Sequence, residues 1–199
     1  AKGDDVIVLG HGTYVLDRTG VGAATGAAGL VERTGDLDVT DTTGSLTIVG
    51  AGAGTTIIDA TALGDRVFHL HDGSSAVFEG VTITGGNVGI TDIGGAAILS
   101  NRATLNVIDS TLTANSVDGT GQFAYGGGAL LIGGGDVAIR NSTISNNSVG
   151  VGGTGGGIAN VFATLVIDQS TISNNSGDTG NSSAGGLYSH GDLLLTDST

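Results

Sequence analysis

Three stretches of the chain align without a gap around a Ser-Thr-Leu/Ile core, and a fourth begins the same pattern: residues 104–116 (TLNVIDSTLTANS), 137–148 (VAIRNSTISNNS), 164–176 (TLVIDQSTISNNS) and 193–199 (LLLTDST). The serines heading that core, Ser110, Ser142, Ser170 and Ser198, recur at a nearly constant interval. A glycine pair with apolar residues behind it precedes each copy: Gly94-Gly95 before AAIL, Gly127-Gly128 before ALLI, Gly156-Gly157 before IAN, Gly185-Gly186 before LYS. The second glycines of these pairs, Gly95, Gly128, Gly157 and Gly186, recur with nearly the same period, read in a different part of the unit. A unit of roughly 30 residues cannot bury an apolar face alone, so such a chain must stack its units and build its core between neighbours.

Within each unit apolar and polar residues alternate, as in Leu105-x-Val107 and Val137-x-Ile139, and after a polar break Ile144 resumes the pattern. Period two is the signature of a strand, and no stretch carries the three-four spacing of an amphipathic helix. Residues 76–87 (AVFEGVTITGGN) are an earlier, divergent copy, and residues 46–59 (LTIVGAGAGTTIID) read as two short strands around a glycine bend. About three short strands per unit predict an all-β chain, a right-handed parallel β-helix of six to eight coils. The expected organisation is one continuous domain, with N-terminal coils over 1–45 and repeats over 46–199, units lying near 76–87, 94–116, 127–148, 156–176 and 185–199. Because the last unit stops at Asp197-Ser198-Thr199, the chain is expected to continue as a segment of a longer protein, or to stack end to end on another subunit.

Composition agrees with this reading. Glycine supplies 39 of 199 residues and proline none, with no Gly-X-Y period, so the glycines serve bends and not a collagen helix. With 39 % apolar residues, a disordered chain is not expected. Seven aromatics (three Tyr, four Phe) are too few for the signatures of a propeller of ~40-residue blades. Six basic residues against nineteen acidic ones give a net charge of −13, which repels phosphate backbones and anionic lipid surfaces, so nucleic-acid binding is not expected, and the apolar runs are far shorter than the ~20 residues of a spanning helix, so membrane insertion is not expected either. There is no cysteine, hence no disulfide or thiolate metal site. Acidic, cysteine-free chains rich in Gly, Asn, Thr and Ser point to a secreted, extracellular or cell-surface location.

Several side chains recur in register. Asn115, Asn147 and Asn175 follow the repeated strand and are expected to superpose into an amide ladder at a bend. Some asparagines also fall in glycosylation triplets: Asn141-Ser142-Thr143, Asn146-Asn147-Ser148, Asn174-Asn175-Ser176 and Asn181-Ser182-Ser183. Thr82, Thr84, Thr111, Thr113, Thr143, Ser145, Thr171 and Ser173 form outer hydroxyl rows, as in ice-binding solenoids, although such residues suit any exposed strand face. Asp109, Asp168 and Asp197 lie one or two residues before Ser-Thr, with Asn141 in the third unit, and Asp36, Asp38 and Asp41 form a second acidic group. Both groups read either as solvated turn acids or as Ca²⁺ ligands, calcium being the one cofactor considered. His69 and His71 flank Leu70 and point to one side of a predicted strand, the minimum geometry for sharing a metal, with no third ligand evident in the sequence.

No catalytic or cofactor-binding residue is assigned. The repeats hold only Arg102 and Arg140 as basic groups, neither beside an acidic cluster, and there is no G-x-S-x-G elbow. A polysaccharide lyase or glycoside hydrolase remains the alternative, to be recognised by a groove holding several acids and an arginine.

The order DDVIVLGHGTYVL (4–16), TGDLDVTDTTGSLTIVGAGAGTTIIDA (34–60), DRVFHL (65–70), GVTITGG (80–86) and then Gly-Gly and Ser-Thr-Ile-Ser-Asn-Asn units resembles the bacterial secreted β-helix proteins whose N-terminal region carries a CSLREA motif. That motif usually lies just ahead of the part matching 4–16 and is absent here. The pieces Gly127 to Leu130 and Ile144 to Asn147 are also similar to repeats of polymorphic outer-membrane adhesins, with Ile where those have Phe. These resemblances imply a structural or adhesive scaffold, a segment or subunit of a surface filament or large exported protein, with glycans or host surfaces as partners. They carry over no catalytic residue. The stretches 87–93, 116–125, 148–155 and 177–183 are expected to be the loops that decorate the stack.

Overall fold

The computed structural model describes residues 3–17, 35–89, 93–119, 126–177 and 184–199. Short strands follow one another around a closed path, and each pairs in parallel with its counterpart one turn away, giving a parallel β-solenoid with no helix among the described residues. Three long sheets run along the stack. A seven-stranded sheet contains Asp5–Val8, Leu46–Val49, Ser75–Glu79, Ala103–Ile108, Gly135–Arg140, Thr164–Asp168 and Asp192–Thr196. One six-stranded sheet contains Leu37–Val39, Phe68–Leu70, Ile98–Ser100, Leu130–Ile132, Ile158–Asn160 and Leu187–Ser189. The other contains Gly12–Val15, Thr56–Asp59, Thr82–Thr84, Thr111–Thr113, Thr143–Ser145 and Thr171–Ser173. Five turns contribute to all three sheets and a partial turn flanks them on either side, so the coil count is about five, slightly below the six to eight expected.

The register explains the repeat. Leu105 pairs with Val137 and Val137 with Leu165, while Leu112, Ile144 and Ile172 superpose on the neighbouring sheet. Alternation sends these residues inward, where Leu105, Leu112, Ile139 and Ile144 are wholly excluded from solvent. Each such side chain contributes about 1.5–3 kcal/mol of burial. Phe68 and Phe78 fill the interior earlier in the stack, their ring centroids 4.6 Å apart and their planes inclined by 51°.

The segments expected as loops begin with a fourth sheet, formed by Asn87–Val88, Ser116–Gly119, Ser148–Val151 and Ser176–Gly177. Its strands are too short to display an alternation in sequence. They are fixed because Val88, Val117 and Val149 turn inward onto Ala96 as a small satellite core. Residues 90–92, 120–125 and 178–183 lie outside the described residues. The path from the strands at Ile98, Leu130 and Ile158 to those at Ser116, Ser148 and Ser176 has the same length in three successive turns. Among these three turns the variation in repeat length therefore falls at one corner, between the fourth sheet and the next turn.

Backbone geometry sets the corners. On either side of the Ser-Thr-Ile strand one residue per turn is left-handed: Asp109, Asn141, Gln169 and Asp197 (φ 47° to 49°) on one side, Ala114, Asn146 and Asn174 (φ 53° to 56°) on the other. Asparagine and aspartate adopt this conformation more readily than most side chains, which explains their recurrence. At the glycine pairs the constraint is space. A Cβ on Gly128 would lie 2.0 Å from the Gly156 carbonyl oxygen and 2.6 Å from that of Ser148.

Candidate functional site

The central residues of the strands Leu37–Val39, Phe68–Leu70, Ile98–Ser100, Leu130–Ile132, Ile158–Asn160 and Leu187–Ser189 point outward in one column: Asp38, His69, Leu99, Leu131, Ala159 and Tyr188. Its first part is polar and the next part apolar. Asp38 and His69 are direct register partners, and His71 follows on the same side just past the strand end. His71 Nε2 and Asp38 Oδ1 are 2.6 Å apart, His69 Nδ1 is 3.7 Å from the same oxygen, and the two imidazoles stack at 3.9 Å with a 29° tilt. One ligand atom from each of Asp38, His69 and His71 falls within 4.8 Å of the others.

Behind this group Asp36 Oδ2 lies 3.1 Å from Arg66 Nε and 3.9 Å from His69 Nδ1. The Arg66 contact is ionic, its N–H not being aligned for a hydrogen bond, and the guanidinium also donates from Nη2 to the Ile93 carbonyl at 3.4 Å. Asp36 and Arg66 are nearly shut off from solvent, whereas Asp38 and His71 are far more open to it. Burial pushes the Asp36 carboxyl above its ordinary range, against the lowering effect of Arg66. Burial above all, and then the neighbouring His71 and Arg66, lower His69 to about 4, with Asp38 opposing. At neutral pH His69 is therefore an uncharged imidazole.

The structure thus places Asp38 beside His69 and His71 as the third group that the sequence did not reveal. The two segments share no motif and lie well apart along the chain. A signal was present: Leu37-Asp38-Val39 and Phe68-His69-Leu70 are both apolar-polar-apolar triplets that pair once stacked. Of the acids Asp36, Asp38 and Asp41, the first two both approach His69 Nδ1, at 3.9 and 3.7 Å, and Asp41 stands apart. Asp36 faces Arg66, Asp38 faces His71, and Asp41 accepts bonds from the Thr43 amide and hydroxyl at 2.8 and 2.7 Å. Asp109 and Asp168 do not share a place. Asp109 stands in the column of Asn141, which donates to it from Nδ2, while Asp168 pairs with Arg140 and accepts a 2.6 Å bond from the Thr196 hydroxyl.

The asparagines form a ladder. Asn115 Nδ2 donates to Asn147 Oδ1, and Asn147 Nδ2 to Asn175 Oδ1, each at 3.0 Å. A second ladder runs through the serines that mark the repeat: the amides of Ser110, Ser142 and Ser170 donate to the hydroxyl oxygens of Ser142, Ser170 and Ser198 at 3.0–3.1 Å. The sequence shows the spacing of these serines but not their bonding. The hydroxyl rows superpose as Thr82, Thr111, Thr143 and Thr171 beside Thr84, Thr113, Ser145 and Ser173. Most are half-buried, and Asn146 reaches over Thr113 and Ser145 at 3.4 and 3.3 Å.

Beyond His69 the outward column is apolar. Leu99, Leu131, Ala159 and Val161 cluster, and a hollow of about 320 Å³ is lined by Ile93, Leu99, Asn101, Leu131, Gly133, Val161 and Phe162. Phe162 is 67 % exposed at its rim. The chain matches no family model, no curated protein and no solved structure.

Proposed function

We propose that the chain is a structural or adhesive scaffold of a secreted or cell-surface protein, working through the lateral faces of its stack. The observation that carries this reading is the use made of the buried polar side chains. Ser110, Asn115, Ser142, Asn147, Asn160 and Ser170 hydrogen-bond from turn to turn, so they stiffen the rod and are not free for chemistry. The open apolar hollow beside Phe162 is a contact surface on the same rod. Asp5–Val8 and Asp192–Thr196 are the outermost strands of the seven-stranded sheet among the described residues, and Val6, Val8, Leu193, Leu194 and Leu195 are exposed on them, which favours stacking on a second copy. The resemblance to CSLREA-type and polymorphic outer-membrane repeats favours the same reading, with glycans or host surfaces as partners. Electron microscopy of the purified protein tests the stacking: rods longer than one chain are expected, and isolated monomers at all concentrations would remove the filament form.

A second reading has one observation in its favour. Asp36, Asp38 and Arg66 come together beside two histidines, which is the grouping of acids and an arginine that a polysaccharide lyase or hydrolase needs. Against it, the Arg66 guanidinium is buried and engaged with Asp36. Incubation with uronate and neutral glycans distinguishes the two: cleavage abolished by Asp38→Asn would overturn the scaffold reading.

A further inference from the structure

We infer that Asp38, His69 and His71 form a binding site for a divalent transition metal of the Zn²⁺ class on the outer face of the solenoid. Neither the sequence repeat nor the stacking of turns requires this grouping. In the later turns the position of His69 is taken by Leu99, Leu131, Ala159 and Tyr188, so imidazole is not needed there for the fold.

The donor set selects the ion. Two imidazole nitrogens and one carboxylate oxygen suit Zn²⁺, Ni²⁺, Cu²⁺ or Fe²⁺, whereas Ca²⁺ takes six to eight oxygens and binds imidazole poorly. The spacing agrees with this. Around a tetrahedral ion with bonds of about 2.0–2.2 Å, ligand atoms are separated by roughly 3.3–3.6 Å. The three pairs here lie between 2.6 and 4.8 Å, straddling that range. Closing around the ion requires the Asp38–His71 contact to open and the two stacked rings to splay beyond their 29° tilt. These are rotations of partly exposed side chains and leave the paired backbone in place.

The surroundings also fit. His69 Nε2 is buried and has no hydrogen-bond partner among the described residues, so a ring nitrogen is uncommitted. Asp38 brings a carboxylate in a chain of net charge −13, whose field attracts a cation. Asp36, 3.9 Å from His69 Nδ1, adds a second carboxylate close to the site, with the Arg66 guanidinium 3.1 Å from it. Three protein ligands leave coordination positions open toward solvent.

The test is titration of the full chain, stripped with a chelator, with Zn²⁺ against a chromophoric competitor. One equivalent is expected to bind. Co²⁺ substituted for Zn²⁺ should give the visible absorption of a four- or five-coordinate ion with nitrogen ligands. His71→Ala and Asp38→Asn, both at exposed positions, should weaken binding by more than the ~10–100-fold that loss of an outer-shell partner produces. His190→Ala, far along the stack, should leave it unchanged, and circular dichroism verifies that each variant is folded. Zn²⁺ binding that survives in both site variants, a Ca²⁺ preference, or no binding to the parent chain would each overturn the assignment.

Discussion

The side-chain oxygen of Asn147 accepts two bonds from Asn115, one from its backbone amide and one from its Nδ2, both at 3.0 Å. Asn147 passes the same pattern on to Asn175 and donates to the Leu112 carbonyl as well. Each asparagine thus satisfies its neighbour's buried backbone as well as its side chain.

Asn147→Ala is expected to cost about 2–4 kcal/mol, because it leaves the buried Asn115 amide without an acceptor. Asn175→Ala, at a more exposed position, should cost clearly less. Urea denaturation of both variants checks the ranking, and equal losses would mean that ladder position does not matter.

Gly128→Ala should be among the most damaging single changes. The added methyl would meet the backbone of the adjoining turn at Gly156 and Ser148, and the stacked rungs cannot separate locally without losing ladder bonds. Loss of the folded, protease-resistant core on limited proteolysis is the expected result.

Ala114 sits at φ 53° where the two following turns place Asn146 and Asn174. Alanine gains nothing from that conformation, so Ala114→Gly should stabilise the chain by about 1 kcal/mol. A fall in the midpoint of thermal unfolding would contradict the backbone argument.

The carboxyl of Asp59 lies below its ordinary value of 3.8 because the Thr61 hydroxyl and amide donate to it at 2.6 and 2.9 Å. Folding here favours the charged form. The contribution is fully present above the unfolded value and disappears as pH falls through the lower folded one. Thr61→Val, which keeps the amide bond and deletes the hydroxyl, should raise the folded Asp59 value part of the way toward 3.8 and reduce this small, solvent-screened contribution at neutral pH, while parent and variant converge in acid. Carbon-detected NMR titration of Asp59 reads the shift directly.

The parts of the structure that repeat were legible in the sequence. Leu105, Val137 and Leu165 declared both their strand and their inward direction, and Asn115, Asn147 and Asn175 stood at matching places in successive units. Two kinds of feature were not legible. One depends on pairing between unlike segments, as when Asp38 meets His69, because only the register of the stack brings the two together. The other turns on a single residue: Asp168 looked equivalent to Asp109 in the alignment, yet it pairs with Arg140, and Gln169 occupies the left-handed corner. An offset of one residue along a strand exchanges its two faces, so near-equivalence in sequence carries no guarantee of proximity.

The unvarying path from Ile98, Leu130 and Ile158 to the fourth sheet bears on how such a molecule is inherited. A tandem duplication in the gene that adds one whole period would join like to like at either junction, and the Ser and Asn ladders would run through the new turn unbroken. Lengthening by whole turns would keep both ladders, whereas a gain or loss inside that path would shift their members out of register. The corner between turns can diverge freely between copies, so such a lineage would vary in length and at that corner while its three long sheets stay the same.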